Sequence, residues 1–379
     1  MLGKVFIISI AVMILACSKS EKNYTIQKIG DVEVVRNKNI PTFTKTELKL
    51  DNLVEINGPE LSDSLAAFYE PRFVKLDKNN DIYIADDKSC SIKRFNKNGS
   101  FLNKIGGKGN GPGEFEYFSN IFFFEDTICV TSPPNENRKF SKNGEFFLKT
   151  HFSKNILLLG GMLEQLTGRN YIASYLSFDL NDVKPSSTIK CVTSIFEEEL
   201  VEKVKVIEDS LLVTEYREKP YKLSEIQPII TFDGKSRIYL TKKSKEKYEI
   251  HVYNFEGKQA NIIVKSYRKI PFSDAQIQKI KEFNKGNKAF IKQLDYKHSI
   301  ERMMVDKYDN MWVKSGDLYD VFDNKGIYNG LVDFKTFNLS DDPEYLNNNT
   351  ISFENDKIII TDYENSIVRV YDYEVSFSN

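Results

Sequence analysis

The chain is poor in histidine, cysteine and tryptophan, with three, four and one among 379 residues. Three histidines, none at H-x-E or H-E-x-x-H spacing, leave little material for a His-rich metal site. Proline and glycine are also sparse, at 11 and 19 residues, which excludes a Gly/Pro-rich linker protein. Neither charge sign is in excess: 53 basic residues face 54 acidic ones, for a net charge of -1. That balance excludes a global pull toward nucleic acid or an anionic bilayer and leaves only local patches. No apolar run reaches the roughly 20 residues a membrane-spanning helix needs. What is abundant is aromatic: 27 Phe and 20 Tyr within a 41% hydrophobic chain, a composition suited to strands and a packed core.

The longest apolar run lies at the N-terminus. After Lys4, Val5 to Ala16 is broken only by Ser9, and Ile14-Leu15-Ala16-Cys17 is followed at once by Ser18-Lys19-Ser20-Glu21-Lys22. A basic residue, a short apolar stretch and a small residue read as a secretory signal. Ala16-Cys17 resembles the lipobox of bacterial lipoproteins, although Ile14 stands where the usual pattern has Leu. The resemblance implies that Cys17 is acylated and becomes the new N-terminus. The alternative is an ordinary signal cleaved nearby, with Cys17 incidental. The expected organisation is a signal peptide over residues 1–16, a lipidated tether over 17–45 and a folded domain over 46–379. The expected location is the cell envelope, at the outer membrane or a periplasm-facing membrane, with bilayer contact through the Cys17 lipid alone. Cys90, Cys129 and Cys191 show no C-x-x-C spacing and are expected as buried thiols, with one disulfide left open.

The rest of the chain repeats. A short apolar phrase recurs as Ile82-Tyr83-Ile84, Ile128-Cys129-Val130, Tyr171-Ile172-Ala173, Ile238-Tyr239-Leu240, Met311-Trp312-Val313 and Ile358-Ile359-Ile360. Each is followed by an alternating segment ending in an aromatic: Phe95, Phe140, Phe196, Tyr253, Phe322 and Tyr371. In four units a glycine follows four residues later (Gly99, Gly144, Gly257, Gly326), where a tight hairpin needs positive φ. A repeat of about 40–50 residues built from short strands is a propeller blade. Six marks predict an all-β, six-bladed propeller of four-stranded antiparallel blades.

Asp81 to Asp86 with Ile92 to Phe95, and Ile358 to Asp362 with Ile367 to Tyr371, resemble NHL-type propeller repeats. With the lipobox, the chain is similar to the six-bladed propeller lipoproteins of Gram-negative anaerobes over roughly residues 48–375. The stretches Phe118–Ile207 and Arg268–Ile300 match weakly and are expected to carry irregular insertions. Leu53 to Gly58 parallels Leu102 to Gly107, the fourth strand of the first unit, whereas the last unit runs out after Tyr371. Residues near 50–57 are therefore expected to complete the sixth blade and close the ring, with one extra strand at Val32 to Val35 outside it. One helical insertion is expected from Ser273 to about Tyr296, capped by Ser273 or Asp274.

Candidate chemistry is thin. Gly106 to Phe115 is rich in glycine, but Gly109 follows Lys108 where a phosphate-binding loop needs Ser or Thr, so a blade connection is expected. The run Lys242 to Lys247 reads as a solvated hairpin. Some six-bladed propellers are lactonases with carboxylates around a central Ca²⁺. On that analogy Asp86, Glu114, Asp317 and Asp362 are the candidate binding residues, each at the end of a second strand or in a blade connection. No Ser/His/Asp constellation can be assembled, and no catalytic residue, protein metal ligand or cofactor is assigned. The expected function is a ligand- or protein-binding or scaffolding module at the cell envelope. The alternative is a metal-dependent lactonase- or lyase-like enzyme with Ca²⁺ in the central channel. The long segments Gly106–Phe118, Ser177–Thr188, Glu208–Gln227, Arg268–Ser299 and Lys335–Asn349 are expected to share one face and to receive the ligand or partner.

Overall fold

The computed structural model describes residues 22–132, 136–151, 156–166, 170–177, 187–197, 201–218, 222–283, 295–334 and 349–379. The N-terminal segment gives β1 (Tyr24–Ile29), β2 (Val32–Asn37) and the long β3 (Lys45–Asn57). Blade 1 is β4 (Pro71–Leu76), β5 (Ile82–Asp86), β6 (Ser91–Phe95) and β7 (Phe101–Ile105). Blade 2 is β8 (Asn120–Phe124), β9 (Thr127–Ser132), β10 (Glu136–Ser141) and β11 (Phe146–His151). Blade 3 is β12 (Ile156–Gln165), β13 (Tyr171–Ser177), β14 (Thr188–Phe196) and β15 (Glu202–Leu212). Blade 4 is β16 (Pro228–Phe232), β17 (Arg237–Lys242), β18 (Glu249–Asn254) and β19 (Gln259–Lys265). Blade 5 is β20 (Arg302–Val305), β21 (Met311–Ser315), β22 (Leu318–Phe322) and β23 (Tyr328–Asp333). Blade 6 is β24 (Asn349–Glu354), β25 (Lys357–Asp362), β26 (Ile367–Ser378) and β3. Each blade is an antiparallel meander, and the protein is a six-bladed β-propeller.

The six recurring apolar phrases lie in the second strands, and five of the six aromatics lie at or near the ends of the third, while Tyr371 lies within the longer β26. Their side chains fill the spaces between blades. Ile82, Ile84 and Phe95 meet Ile359, Val368 and Val370 between blades 1 and 6, and Phe115, Phe118 and Phe140 lie between blades 1 and 2. Val252 and Phe322 meet between blades 4 and 5. Gly99, Gly144, Gly257 and Gly326 all have positive φ, between 76° and 88°. Each also lies against the previous blade, where a Cβ would come within 3.1 Å of Val54, Lys104 O, Val204 or Ile263 respectively. Glycine is therefore required twice over, for conformation and for close approach. The described parts of Phe118–Ile207, expected to carry irregular insertions, form β8 to β14 and part of β15, with register shifts in β12–β13 and β14–β15.

The ring closes as the pattern predicts. β3 pairs antiparallel with β26 from Ile367↔Asn57 to Ser378↔Lys45, with a register shift between Val370 and Asp372. Both strands outrun the rest of the blade, and β3 also packs on β23 of blade 5. The stretch expected to be tether is partly built into the ring. β1 and β2 form a hairpin, and β2 adds in parallel to β19, making blade 4 a six-stranded sheet. Val35 is fully buried there, and the Asn37 amide donates to Gly326 O and Val264 O while its Oδ1 accepts the Tyr328 N–H. Thr42 and Phe43 then donate backbone N–H groups to Tyr328 O and Asn329 O on blade 5. Residues 24–57 therefore form a belt over the outer edges of blades 4, 5 and 6.

Helices are few: α1 (Val213–Glu218), α2 (Lys222–Ile226) and α3 (Asp274–Phe283). α1 and α2, not foreseen, cover Leu176, Ile189 and Cys191 of blade 3. α3 begins where expected. Ser273 caps it, its Oγ accepting the Gln276 N–H while Gln276 Oε1 accepts the Ser273 N–H. The remainder of the expected helix, residues 284–294, lies outside the described residues. Cys90, Cys129 and Cys191 are buried, and no disulfide joins them among the described residues.

Candidate functional site

An antiparallel meander puts first-to-second and third-to-fourth turns at one end of the ring. The second-to-third turns and blade connections lie at the other. These are termed the turn face and the loop face. The first strands of blades 1 to 3 pack against one another in turn, as do those of blades 4 to 6, and each first strand has a ladder partner on one side only. Alternate backbone N–H and C=O groups of these strands therefore face the channel.

The four candidate carboxylates all belong to the loop face, but they do not converge. Asp86 ends β5 and is fully buried; its Oδ1 accepts the Tyr69 and Glu70 N–H groups, and its Oδ2 accepts the Ser89 N–H and hydroxyl. Asp362 holds the equivalent position at the end of β25 and accepts from the Asn365 backbone N–H and side-chain amide. Cys90 and Ser366, four residues further on, both take positive φ. Asp86 and Asp362 are thus caps of the same turn in blades 1 and 6. Asp317, in the β21–β22 turn, pairs with Lys297 at 2.6 Å. Glu114 folds back on its own loop: Oε2 accepts the Gly111 N–H at 2.9 Å. A Cβ on Gly109 would lie 2.1 Å from that oxygen. The glycines of Gly106 to Glu114 serve this closure, which seats the fully buried Phe115 against Phe118 and Phe140. Among the described residues, no three His, Cys, Asp or Glu side chains gather closely enough to hold a metal ion. These four positions do not assemble a calcium donor set. His251 is likewise engaged, with Gln259 at Nδ1 and Glu249 at Nε2. Cys17 lies outside the described residues.

Of the long segments, Gly106–Phe118, the connection bearing α1 and α2, and the described parts of Arg268–Ser299 belong to the loop face. Glu208 to Leu212 is strand, part of β15. Residues 178–186 and 335–348 lie outside the described residues.

The space that the ring encloses is elsewhere. A cavity of about 610 Å³ follows the axis, walled by β16, β20 and β24 with Lys75 of β4. Ile229, Ile230, Met303, Met304 and Phe353 give it apolar surface. Its turn-face mouth is ringed by charge, and most of that charge is engaged. Lys75 pairs with Glu354 at 2.8 Å and Lys235 with Asp309 at 2.6 Å. Asp306 Oδ2 accepts Trp312 Nε1–H at 2.8 Å and the Asn310 amide at 3.0 Å, while Oδ1 accepts two backbone N–H groups. Burial raises the pKa of Asp306 against those bonds. Asp233 Oδ1 accepts the N–H groups of Lys235, Ser236 and Arg237. These bonds, with the Arg237 charge, outweigh burial and lower its pKa. Lys307 lies over the Tyr373 and Tyr308 rings. At the other end of β20, Arg302 also lines the cavity, half-buried, and makes no hydrogen bond or ion pair with any described residue. Sequence reasoning missed Arg302 because one cation in a short strand has no spacing to mark it.

No family model matches the chain, and no curated protein matches it in sequence. Solved structures do. A Bacteroides fragilis protein described as exported matches with a TM-score of 0.55 and 13% identity, over 91% of this chain and 100% of that one. A member of the DUF4221 family from Bacteroides vulgatus matches with a TM-score of 0.53 and 10% identity, over 89% of this chain and 100% of that one. Virginiamycin B lyase from Staphylococcus aureus matches at 0.45 and 10%, over 86% and 99%. At these identities the likeness is one of fold.

Proposed function

We propose that the chain is an exported, lipid-anchored propeller of the cell envelope that works by binding. In this reading the axial cavity is the ligand site and a small organic anion is the ligand class. The state of the charges in that cavity carries the reading. Glu354, Asp309 and Asp306 are already satisfied by neighbours, while the Arg302 guanidinium has no partner among the described residues. Engaged carboxylates offer little to a metal or to a proton in transit. A guanidinium that meets no carboxylate among the described residues, beside channel-facing backbone groups and apolar side chains, suits a carboxylate or phosphate carried on a small organic body. The address rests on Val5 to Ala16 followed by Cys17, and the exported B. fragilis protein of the same fold accords with it. Among the described residues no helix is long and apolar enough to cross a membrane.

The test is thermal stability of the mature chain against a panel of small mono- and dicarboxylates and sugar phosphates, each with and without Ca²⁺. At least one anion should raise the melting temperature of the native chain and leave Arg302→Met unmoved. No shift across the panel, or the same shift in Arg302→Met, would refute the site. A shift that appears only with Ca²⁺ would favour the lactonase-like alternative. Independently, the membrane fraction should carry an acyl mass on Cys17 that Cys17→Ser lacks.

A further inference from the structure

The belt fixes where the chain enters the ring. β19 runs from the turn face to the loop face, β2 runs parallel to it, and β1 runs back. Tyr24 pairs with Asn37 at the loop-face end, and Lys38 donates its N–H to Asn23 O there. The N-terminus therefore leaves from the loop-face corner of blade 4. Five residues lie between Cys17 and Asn23, six steps with a reach of at most about 20 Å. Descending past the blade to the turn face would use nearly all of it, since a six-residue strand is itself about 20 Å tall.

The same corner is basic. Lys242-Lys243-Ser244-Lys245-Glu246-Lys247 is the loop-face turn of blade 4, with four lysines and one glutamate, three strand spacings or about 14 Å from β1. Arg268 and Lys269 follow β19 between them. Lys242, Lys245 and Lys269 are paired, with Asp209, Asp295 and Glu246. Lys22, Lys247 and Arg268 are exposed and face no carboxylate among the described residues.

From the exit point and this local cluster of cations, we infer that the loop-face rim of blade 4 is a docking surface for an anionic phospholipid bilayer, the one in which the Cys17 lipid sits. This rests on the lipid anchor proposed above and adds a second contact. One acyl anchor plus a polybasic patch is a recognised route to firm attachment, since each cation near an anionic surface adds binding. In this orientation the turn-face mouth of the axial cavity points away from the bilayer.

The test uses the mature chain carrying Cys17→Ser, so that the lipid makes no contribution. It should partition onto phosphatidylcholine vesicles containing phosphatidylglycerol, in a salt-sensitive way, and not onto phosphatidylcholine alone. Substituting Lys22→Gln, Lys247→Gln and Arg268→Gln together, none of which breaks an ion pair in the fold, should weaken that partition on the order of a hundredfold. Undiminished partition of the triple variant, or equal partition onto both vesicles, would overturn the surface. An absent acyl mass on Cys17 would remove the anchor and leave this assay standing, so the two readings fail separately.

Discussion

Lys265 Nζ lies 2.6 Å from Asp320 Oδ2, with the two side chains 6% and 2% exposed. The pair joins the fourth strand of blade 4 to the third strand of blade 5. Tyr248 donates its hydroxyl to the same oxygen at 2.7 Å, and the ammonium lies over the Tyr248 and Tyr328 rings. Burial lowers the pKa of Lys265 and the Asp320 charge opposes it. Removing one partner of such a pair strands a charge, whereas removing both leaves space for apolar packing. Lys265→Met and Asp320→Leu should each cost about 3–5 kcal/mol in urea unfolding. The double variant should cost clearly less than their sum; additive losses would show that the ions do not interact.

On the turn face, Asp77 Oδ1 accepts the Asn79 and Asp81 N–H groups, and Lys142 of blade 2 lies 2.8 Å from Oδ2. Burial raises its pKa, but Lys142 and the backbone donors outweigh that and hold it below the ordinary 3.8. A carboxylate with a depressed folded pKa contributes stability above its unfolded value and loses it as pH falls through the folded one. Asp77→Asn should therefore be about 2 kcal/mol less stable at neutral pH. The gap from the native chain should close below about pH 4. A gap that stays constant through the acid limb of urea titrations would count against the ion pair.

Asn37 ties the belt to two blades through three hydrogen bonds at 4% exposure. Asn37→Ala leaves the Tyr328 N–H and Gly326 C=O buried without a partner and should cost about 2–3 kcal/mol. Asn39→Ala, in the exposed stretch that follows, should change little. Similar thermal melts for the two would mean that the belt adds nothing to the ring.

Gly330 on β23 lies beneath the closing ribbon. A Cβ there would sit 1.9 Å from Thr46 Oγ1 and 3.0 Å from the Phe377 ring. Gly330→Ala should push the ends of β3 and β26 off blade 5 at a cost of about 1–3 kcal/mol. Faster amide exchange in residues 45–50 and 373–378 than in 53–57 would locate the damage; unchanged exchange would refute it.

The blades were legible because a period near 50 residues, the alternation within strands and the Gly turns all come from local chemistry. Closure was legible because Leu53 to Gly58 repeats a fourth-strand phrase. The extra strand at Val32 to Val35 was legible as β2, but its hairpin with β1 and its parallel pairing with β19 were not, since that pairing joins residues more than 220 apart and leaves no local signal. The capping role of Asp86 and Asp362 was not legible, because an aspartate at a strand end reads alike whether it binds a ligand or caps a turn. Only the folded chain brings the backbone donors of Tyr69, Glu70 and Ser89 to Asp86 and that of Asn365 to Asp362. The axial cavity belongs to edges of strands far apart in sequence, which no single window contains.

Sharing the sixth sheet between the two ends of the chain also sets a clock. Asn57 is among the first ring residues to be synthesised, yet its ladder partner, Ile367, follows 310 residues later. Until then β24 and β25 lack their outer neighbours, and the apolar side chains between blades 6 and 1 stay open to water. Contacts of such long range form late and slowly. A nascent chain cannot lock its ring before β26 is complete. Laid between β25 and β3, that one strand turns an open row of blades into a ring.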